Sequence, residues 1–206
     1  MRLGNNYKWF TVVELMVWIL IFTIWWLSAY LLVYSALNSS RHSKNEIIAA
    51  NLARENIELI RNNRNNNWLQ ILDWNKLDNA WMIWTYLTGW YYTIENDFSI
   101  NSSQIKIVKL SNTFSEDYRE LINPTNPSDK TKLCIDNQNR YSHKCSTLSK
   151  ETKFYSYIKI EPLETRTNKW TKIKVDDAYR IIANVVNSEK WFTKYYTTTI
   201  ITNWKK

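Results

Sequence analysis

Glycine is almost absent from this chain. Among its 206 residues there are only 2 glycines and 3 prolines. Average usage of about 7% predicts roughly 14 glycines in a chain of this length. The shortage excludes a glycine-rich phosphate-binding loop, and it deprives turns with positive φ angles of the residue that they normally use.

Cysteine and histidine are also scarce, with 2 residues of each type. A Cys/His structural metal centre normally needs four such ligands, so the three residues Cys134, His143 and Cys145 fall short of one and we predict no metal. Serine and histidine occur without the spacing of a catalytic set, and the sequence has no nucleophile elbow. We therefore expect no cofactor and no enzymatic activity.

Positive charge and tryptophan are present in excess. Basic residues number 27 against 19 acidic residues, a net charge of +8, and there are 12 tryptophans. This charge permits contact with anionic membranes, cell-surface polymers or nucleic acid without selecting among them. The hydrophobic content of 45% is typical of globular proteins, and the length fits one domain or two small ones.

One long apolar run, residues 10–37, follows a short polar N-terminus. As a helix, its 28 residues would be about 42 Å long, which exceeds the bilayer core of about 30 Å. The run is too long for a cleaved secretory signal, whose apolar region has about 7–15 residues. Arg2 and Lys8 precede it, so the positive-inside rule predicts a single-pass protein with a cytoplasmic N-terminus and an external C-terminal domain.

Glu14 is the only charged side chain in this apolar run. A carboxylate in such a segment is costly, and by default it suggests a function. One interpretation places Glu14 at the headgroup level, where water solvates it. The other pairs it with a positive charge that a second subunit brings.

The segment KWFTVVELMVWILIFTI resembles the N-terminal signal of type IV pilins and pseudopilins. In that family a short basic leader ends in glycine, and a phenylalanine, a glutamate four residues later and an unbroken apolar helix follow. The chain departs from this pattern at Trp9, where the family has glycine and where a bulky residue should block cleavage. Seven positions match the family, namely Lys8, Phe10, Thr11, Val12, Val13, Glu14 and Leu15.

This resemblance implies processing followed by assembly. A prepilin peptidase would cut between Trp9 and Phe10, and Phe10 would become the N-methylated first residue. Glu14 would then attract the N-terminal amine of a neighbouring subunit and set the register of assembly. The implied partners are other pilin subunits, the prepilin peptidase, and the platform protein and ATPase of pilus assembly. The chain itself would lie first in the inner membrane and then in a surface filament.

The stretch LARENIELIRN is similar to the N-terminal helix of minor pilins and pseudopilins. It favours a minor pilin or pseudopilin of a type IV pilus or type II secretion-like filament, although a major pilin stays open. The alternative from another class is an uncleaved, signal-anchored surface adhesin or binding protein.

Several tryptophans stand where glycine would be natural. Trp9 replaces the leader glycine, Trp74 lies in a turn-like Asp-Trp-Asn, and Trp18 lies in the apolar run although membrane tryptophans prefer the interfaces. We expect that UGA codons read as glycine in the host were translated as tryptophan. Ten of the 12 tryptophans would then be glycine, with Trp68 and Trp204 genuine. The alternative is a protein that is truly rich in tryptophan.

The residue pattern predicts an α+β fold, pilin-like in the light of the resemblance, with a long N-terminal helix packed on a C-terminal antiparallel sheet. Apolar residues recur at helical spacing through residues 44–62, and the asparagine-rich run NNRNNN is expected to end the helix. The expected parts are a leader at 1–9, a transmembrane half of the helix at 10–37, an amphipathic half at 38–65 and an extracytoplasmic β-rich domain at 66–206.

Runs rich in β-branched and aromatic residues predict the strands. The hairpin candidate is residues 179–203, and the polar segment 111–131 is expected to be a loop. The predicted strands are YYTIE, SQIKIVKL, KLCID, KFYSYIKIE, TKIKV, YRIIANVV and FTKYYTTTIIT.

Cys134 and Cys145 enclose ten residues. Outside the cytoplasmic membrane a disulfide is allowed, and bridging a loop of this size would add on the order of 3 kcal/mol of stability. We expect the disulfide, with two free thiols as the alternative. Asp136, Asn137 and Asn139 in this loop offer oxygen ligands for calcium, but with only one carboxylate and no glycine-bearing loop a solvated turn is favoured.

Lysines and tyrosines occur together in two predicted strands, as they do on surfaces that bind single-stranded nucleic acid. A sheet with one aromatic core face and one solvated lysine face explains the same pattern and is favoured. DNA therefore stays a candidate partner without support of its own. The residues concerned are Tyr155, Tyr157, Lys159, Lys194, Tyr195 and Tyr196.

Overall fold

The structure is a computed structural model, and it describes residues 11–76, 89–97, 104–110, 114–117, 121, 130–166, 172–189 and 193–203. The chain divides into two compact units, Met1–Asn45 and Glu46–Lys206.

Helix α1 spans Val12–Leu69, a length of 58 residues. In the first unit every side chain from Val12 to Leu37 is exposed. In the second unit the helix buries one face, because its apolar residues recur three and four positions apart. The buried residues are Ala49, Leu52, Ala53, Asn56, Ile57, Leu59, Ile60 and Asn67.

The helix does not end at the asparagine-rich run, as the sequence predicted near residue 65, but continues to Leu69. The reason is that these amides bind the following loop instead of capping the helix. The amide of Asn67 donates to the backbone carbonyl of Lys76 at 2.7 Å, and that of Asn63 donates to the same oxygen at 2.9 Å. Tertiary hydrogen bonds thus override the low helix propensity of asparagine.

The helix ends instead in a Schellman motif around Ile71, whose φ is 59°. The backbone N–H of Leu72 donates to the carbonyl of Asn67 at 2.8 Å, and that of Ile71 donates to Trp68 at 3.2 Å. Glycine normally takes this left-handed position, because a β-branched side chain is strained there. The chain then turns back, and Trp74 is buried with 6% of its surface exposed.

Seven strands form one antiparallel sheet in the described part of the chain. β6 pairs with β5 on one side and with β7 on the other. The second edge of β5 pairs with β1 near Ile158 and with β3 near Glu151, and β1 then pairs with β2 and β3 with β4. The strands are β1 (Tyr91–Asp97), β2 (Gln104–Lys109), β3 (Lys132–Ile135), β4 (Tyr141–Ser142), β5 (Lys150–Arg166), β6 (Lys172–Asn187) and β7 (Thr193–Thr202).

The predicted strands are confirmed, with two of them joined. TKIKV and YRIIANVV form the single strand β6, which pairs with β7 as the predicted hairpin. The register between β5 and β6 shifts between Pro162 and Glu164, where proline cannot donate to the ladder.

Both faces of the sheet are covered at β5. Along β5, Phe154, Ile158 and Ile160 belong to a core cluster with the buried face of α1, whereas Tyr155 and Tyr157 belong to a second cluster with Leu110 and Leu121. This alternation follows from the two-residue period of a strand. A long apolar N-terminal helix and an antiparallel sheet make the fold α+β, as the sequence predicted.

Candidate assembly site

Glu14 lies in the first turn of α1, which Thr11 caps. The backbone N–H of Glu14 donates to Oγ1 of Thr11 at 3.3 Å, and the N–H of Leu15 donates to the carbonyl of Thr11 at 3.1 Å. The order Thr-Val-Val-Glu is that of a capping box, with Glu14 at the third helical position. There its negative charge interacts favourably with the helix dipole. Glu14 therefore also occupies the glutamate position of a capping box, a feature that the sequence analysis did not assign.

The segment that follows Glu14 is apolar on all sides. The helix is long and apolar enough to cross a membrane, and none of the residues in its apolar window is buried within the structure. Two of its hydroxyl groups bond to the helix backbone, since Thr23 donates to the carbonyl of Leu20 at 2.8 Å and Ser28 to that of Ile24 at 2.9 Å. Such hydrogen bonds suit an apolar environment, where no water is present to replace them.

The predicted processing site, Trp9 and Phe10, lies outside the described residues. The leader residues Arg2 and Lys8 lie outside them as well. Of the three residues predicted for processing and assembly, Trp9, Phe10 and Glu14, the structure therefore describes Glu14.

Cys134 and Cys145 form a disulfide, with their Cα atoms 5.4 Å apart. Cys134 lies in β3 and is fully buried, whereas Cys145 is exposed. The bridge ties the loop after β4 to the sheet. It closes the segment that holds the Asp136 turn and His143.

The Asp136 carboxylate is committed to its own turn. It accepts hydrogen bonds from the backbone N–H groups of Gln138 and Arg140 at 2.8 and 2.9 Å, and it forms an ion pair with the Arg140 guanidinium at 2.8 Å. Hydrogen bonding to the backbone of Arg140 is the main cause that lowers the pKa of Asp136. Among the described residues, no group of three or more His, Cys, Asp or Glu side chains is placed to hold a metal ion.

In the strands with lysine and tyrosine, most of the named side chains are buried or paired and so differ from those of a nucleic-acid-binding surface. Tyr155 and Tyr157 are buried, with 8% and 1% of their surface exposed, and the Phe114 ring lies 5.2 Å from that of Tyr157. Lys159 and Lys194 both form ion pairs with Glu116, at 3.3 and 3.0 Å. Rings that are covered cannot stack on bases, and paired lysines attract phosphate less strongly. Tyr196 is the exposed exception, at 70%.

Glu116 is the centre of a polar cluster that the sequence analysis missed. Its carboxylate accepts a hydrogen bond from the Tyr91 hydroxyl at 2.7 Å, in addition to the two lysine contacts. Burial alone would raise the pKa of Glu116, but the hydrogen bonds from Tyr91 and Lys194 and the two lysine charges outweigh it and lower the pKa to about 2. The surrounding segment is polar in sequence, so no local pattern distinguishes Glu116 from solvated neighbours.

Two tryptophans outside the apolar run have packing contacts of their own. The Trp74 ring lies 5.7 Å from that of Tyr179, and the indole N–H of Trp90 donates to the carbonyl of Leu110 at 3.1 Å. Among the described residues, positive φ angles occur at Ile71 and Asn139. The backbone conformation thus does not demand glycine at any described tryptophan.

No family model, curated protein or solved structure matches this chain. Support for a function comes from the chain's own residues.

Proposed function

We propose that this chain is a prepilin-like structural subunit, a minor pilin or pseudopilin of a type IV pilus or type II secretion-like filament. The observation that carries the proposal is the first half of α1. From Val12 to Leu37 it is exposed on every side, and Glu14 is its only charged residue. An exposed apolar surface of this extent is typical of a segment that contacts a membrane or another protein.

Two environments in turn would cover this segment. Before assembly it would cross the cytoplasmic membrane as a single span, with the C-terminal domain outside. After assembly the apolar helices of neighbouring subunits would pack together in the filament. The prepilin peptidase would first release the leader after Trp9 and methylate Phe10, and the platform protein and ATPase would drive extraction.

Glu14 would guide the register of assembly through its charge. A carboxylate enclosed by apolar helices is costly unless a positive group pairs with it, and the N-terminal amine of a neighbouring Phe10 supplies one. This role differs from capping, because capping needs only a hydrogen-bonding side chain at the third helical position.

Two substitutions separate these roles in the host. Glu14→Gln keeps a residue that suits a capping box and removes the charge, whereas Thr11→Ala removes the cap and keeps the charge. We expect Glu14→Gln to lower filament yield at least about tenfold while membrane insertion is unchanged, and Thr11→Ala to lower it much less. Equal losses in both variants would assign Glu14 to capping, and no loss in either would remove the filament function.

The alternative function is that of an uncleaved, signal-anchored surface adhesin or binding protein. Tryptophan at position 9 favours it, because the prepilin peptidase requires a small residue there in the family that the segment resembles. Mass spectrometry of the protein from its own host distinguishes the two functions. A mature chain that begins at methylated Phe10 supports the filament subunit, whereas an intact leader supports the anchor.

We also propose that ten of the 12 tryptophans, Trp9 and Trp18 among them, are glycine in the host. The small number of glycines supports this proposal. The same mass spectra test it, since the residue mass at position 18 is that of glycine or of tryptophan. UGG codons in the gene at positions 9, 170 and 191 would refute it.

A further inference from the structure

Strand β7 is an edge strand over its whole length. Among the described residues it pairs with β6 alone, and all ten residues from Thr193 to Thr202 keep one unbroken register. The outer backbone edge of a strand presents N–H and C=O groups that can bind another strand.

The protections that an edge strand can carry in its own sequence are missing from β7. Strand β4 at another edge is only 2 residues long, and β2 carries the exposed residues Lys106 and Lys109. β7 has no proline and no bulge, and its one charged residue, Lys194, is bound to Glu116 at 3.0 Å. Long, regular edges with a single, paired charge are sites where another strand can add.

The two faces of β7 have different partners. Ile201 is 1% exposed in the core, and the hydroxyl of Thr199 accepts a hydrogen bond from Arg61 of α1 at 2.9 Å. The alternate residues form an exposed row in which Tyr196 is 70% and Ile200 53% exposed, with Thr198 between them. Two large side chains thus remain uncovered beside the open edge.

This row is complementary to itself when two copies run antiparallel with Thr198 opposite Thr198. Tyr196 of each copy then lies opposite Ile200 of the other, an aromatic and β-branched pairing that stabilises sheets. Lys194 lies opposite Thr202, so no like charges meet. Thr198 is the middle residue of the segment from Lys194 to Thr202, so all nine residues of this segment are paired in this register.

We propose that β7 is a homotypic contact surface, which pairs antiparallel with β7 of a second copy about a two-fold axis at Thr198. A two-fold contact closes on itself instead of extending a chain. If the chain is a filament subunit, the contact would therefore join neighbouring filaments. The pairing itself involves only the second unit and does not depend on that function.

Cysteine cross-linking of the detergent-solubilised full-length chain tests the pairing and its register. Opposed Cα atoms about 4.5–5.5 Å apart are within disulfide range, so Thr198→Cys should form a covalent dimer under mild oxidation. Tyr196→Cys alone should not, but a mixture of the Tyr196→Cys and Ile200→Cys chains should. Thr147→Cys, in an exposed loop, is the background control.

A charge substitution tests whether the edge drives association. Thr198→Lys places two lysines opposite each other and should weaken dimerisation about tenfold or more, whereas Thr147→Lys adds the same charge elsewhere. Circular dichroism checks that both variants keep their β-structure. Three results would overturn the proposal: a monomeric parent chain, equal association of the two variants, or efficient self-cross-linking at position 196 in place of 198. Association that needs a different protein would count against it in the same way.

Discussion

The face of the sheet toward α1 and the face toward Leu110 and Leu121 differ in what covers them. The α1 face is closed by a helix whose buried residues are mostly apolar, including Ile57 and Ile60 at 5% and 1% exposure. The opposite face holds a smaller cluster that contains aromatic rings. The charged group Glu116 accepts a hydrogen bond from Tyr91, which packs against this cluster. Burial thus dominates one face, and charge pairing contributes to the other.

This difference predicts different sensitivities. Apolar burial does not change with pH, whereas ion pairs and hydrogen bonds to a carboxylate are lost when it is protonated. The α1 face should therefore respond to changes in side-chain volume, and the Glu116 face should respond to acid.

The largest effect should come from Ile60→Ala on the α1 face. It removes a side chain that is 1% exposed and leaves a cavity, and we expect a loss of about 3 kcal/mol in the free energy of unfolding. Ile24→Ala, in the exposed half of the same helix, is the matched control, with an expected change below about 0.5 kcal/mol. Urea unfolding in detergent measures both, and equal losses would contradict the division of α1 into an exposed half and a packed half.

The next effect concerns a buried polar pair between α1 and the sheet. Asn56 donates to the hydroxyl of Ser156 at 2.7 Å, and both residues are buried. Asn56→Ala leaves that hydroxyl without its amide donor and should cost about 2 kcal/mol. Adding Ser156→Ala to this variant should cost less than Ser156→Ala does alone. Strict additivity in this double-mutant cycle would show that the pair is not coupled.

On the opposite face, Glu116→Gln should cost about 1 kcal/mol at neutral pH, a value reduced because solvent screens the partly exposed carboxylate. The folded pKa of about 2 lies below the ordinary value of 4.5. The stability from ionised Glu116 is therefore fully present above pH 4.5 and is lost as the pH falls toward 2. Unfolding measured across this window should show a smaller acid loss for Glu116→Gln than for the parent, and parallel curves would refute the role of Glu116.

The smallest effect concerns the turn that brings Trp74 back to the α1 face. Ile71→Gly relieves a β-branched residue at a φ of 59°, and it should stabilise the protein by about 0.5 kcal/mol once the greater freedom of glycine in the unfolded chain is counted. Leu69→Gly, two residues earlier and still in the helix, should instead destabilise it by up to about 1 kcal/mol. Thermal unfolding of the two variants would show opposite shifts, and shifts of the same sign would argue against the left-handed turn.

Local patterns in the sequence were sufficient to predict the long helix and every strand except the two-residue β4. The helical spacing of Leu52, Ala53 and Ile57 marked the packed part of α1, and the alternation in FYSYIKIE marked the two faces of β5. The end of α1 could not be predicted in this way. Asparagine favours helix ends by itself, but Asn63 and Asn67 bind the backbone carbonyl of Lys76, a contact that exists only in the folded chain.

Of the candidate site, the sequence alone determined Glu14 and the exposed apolar segment, since both follow from residue type and spacing along one helix. The capping contact of Thr11 is also local, and a search for capping boxes would have found it. Glu116 and the β7 edge are different. Tyr91, Lys159 and Lys194 are far apart in sequence and meet Glu116 only because β5 pairs with β1 and β6, and β6 pairs with β7.

Tertiary structure likewise decided which strand lies at the edge, because strand order depends on pairings between distant segments. The sequence of β7 shows a strand with one exposed row, but only the absence of a second neighbour in the described sheet turns that row into a candidate contact surface. Residue type and spacing determine structure over a few neighbouring residues. Strand pairing and side-chain burial depend instead on where the folded chain brings distant residues together.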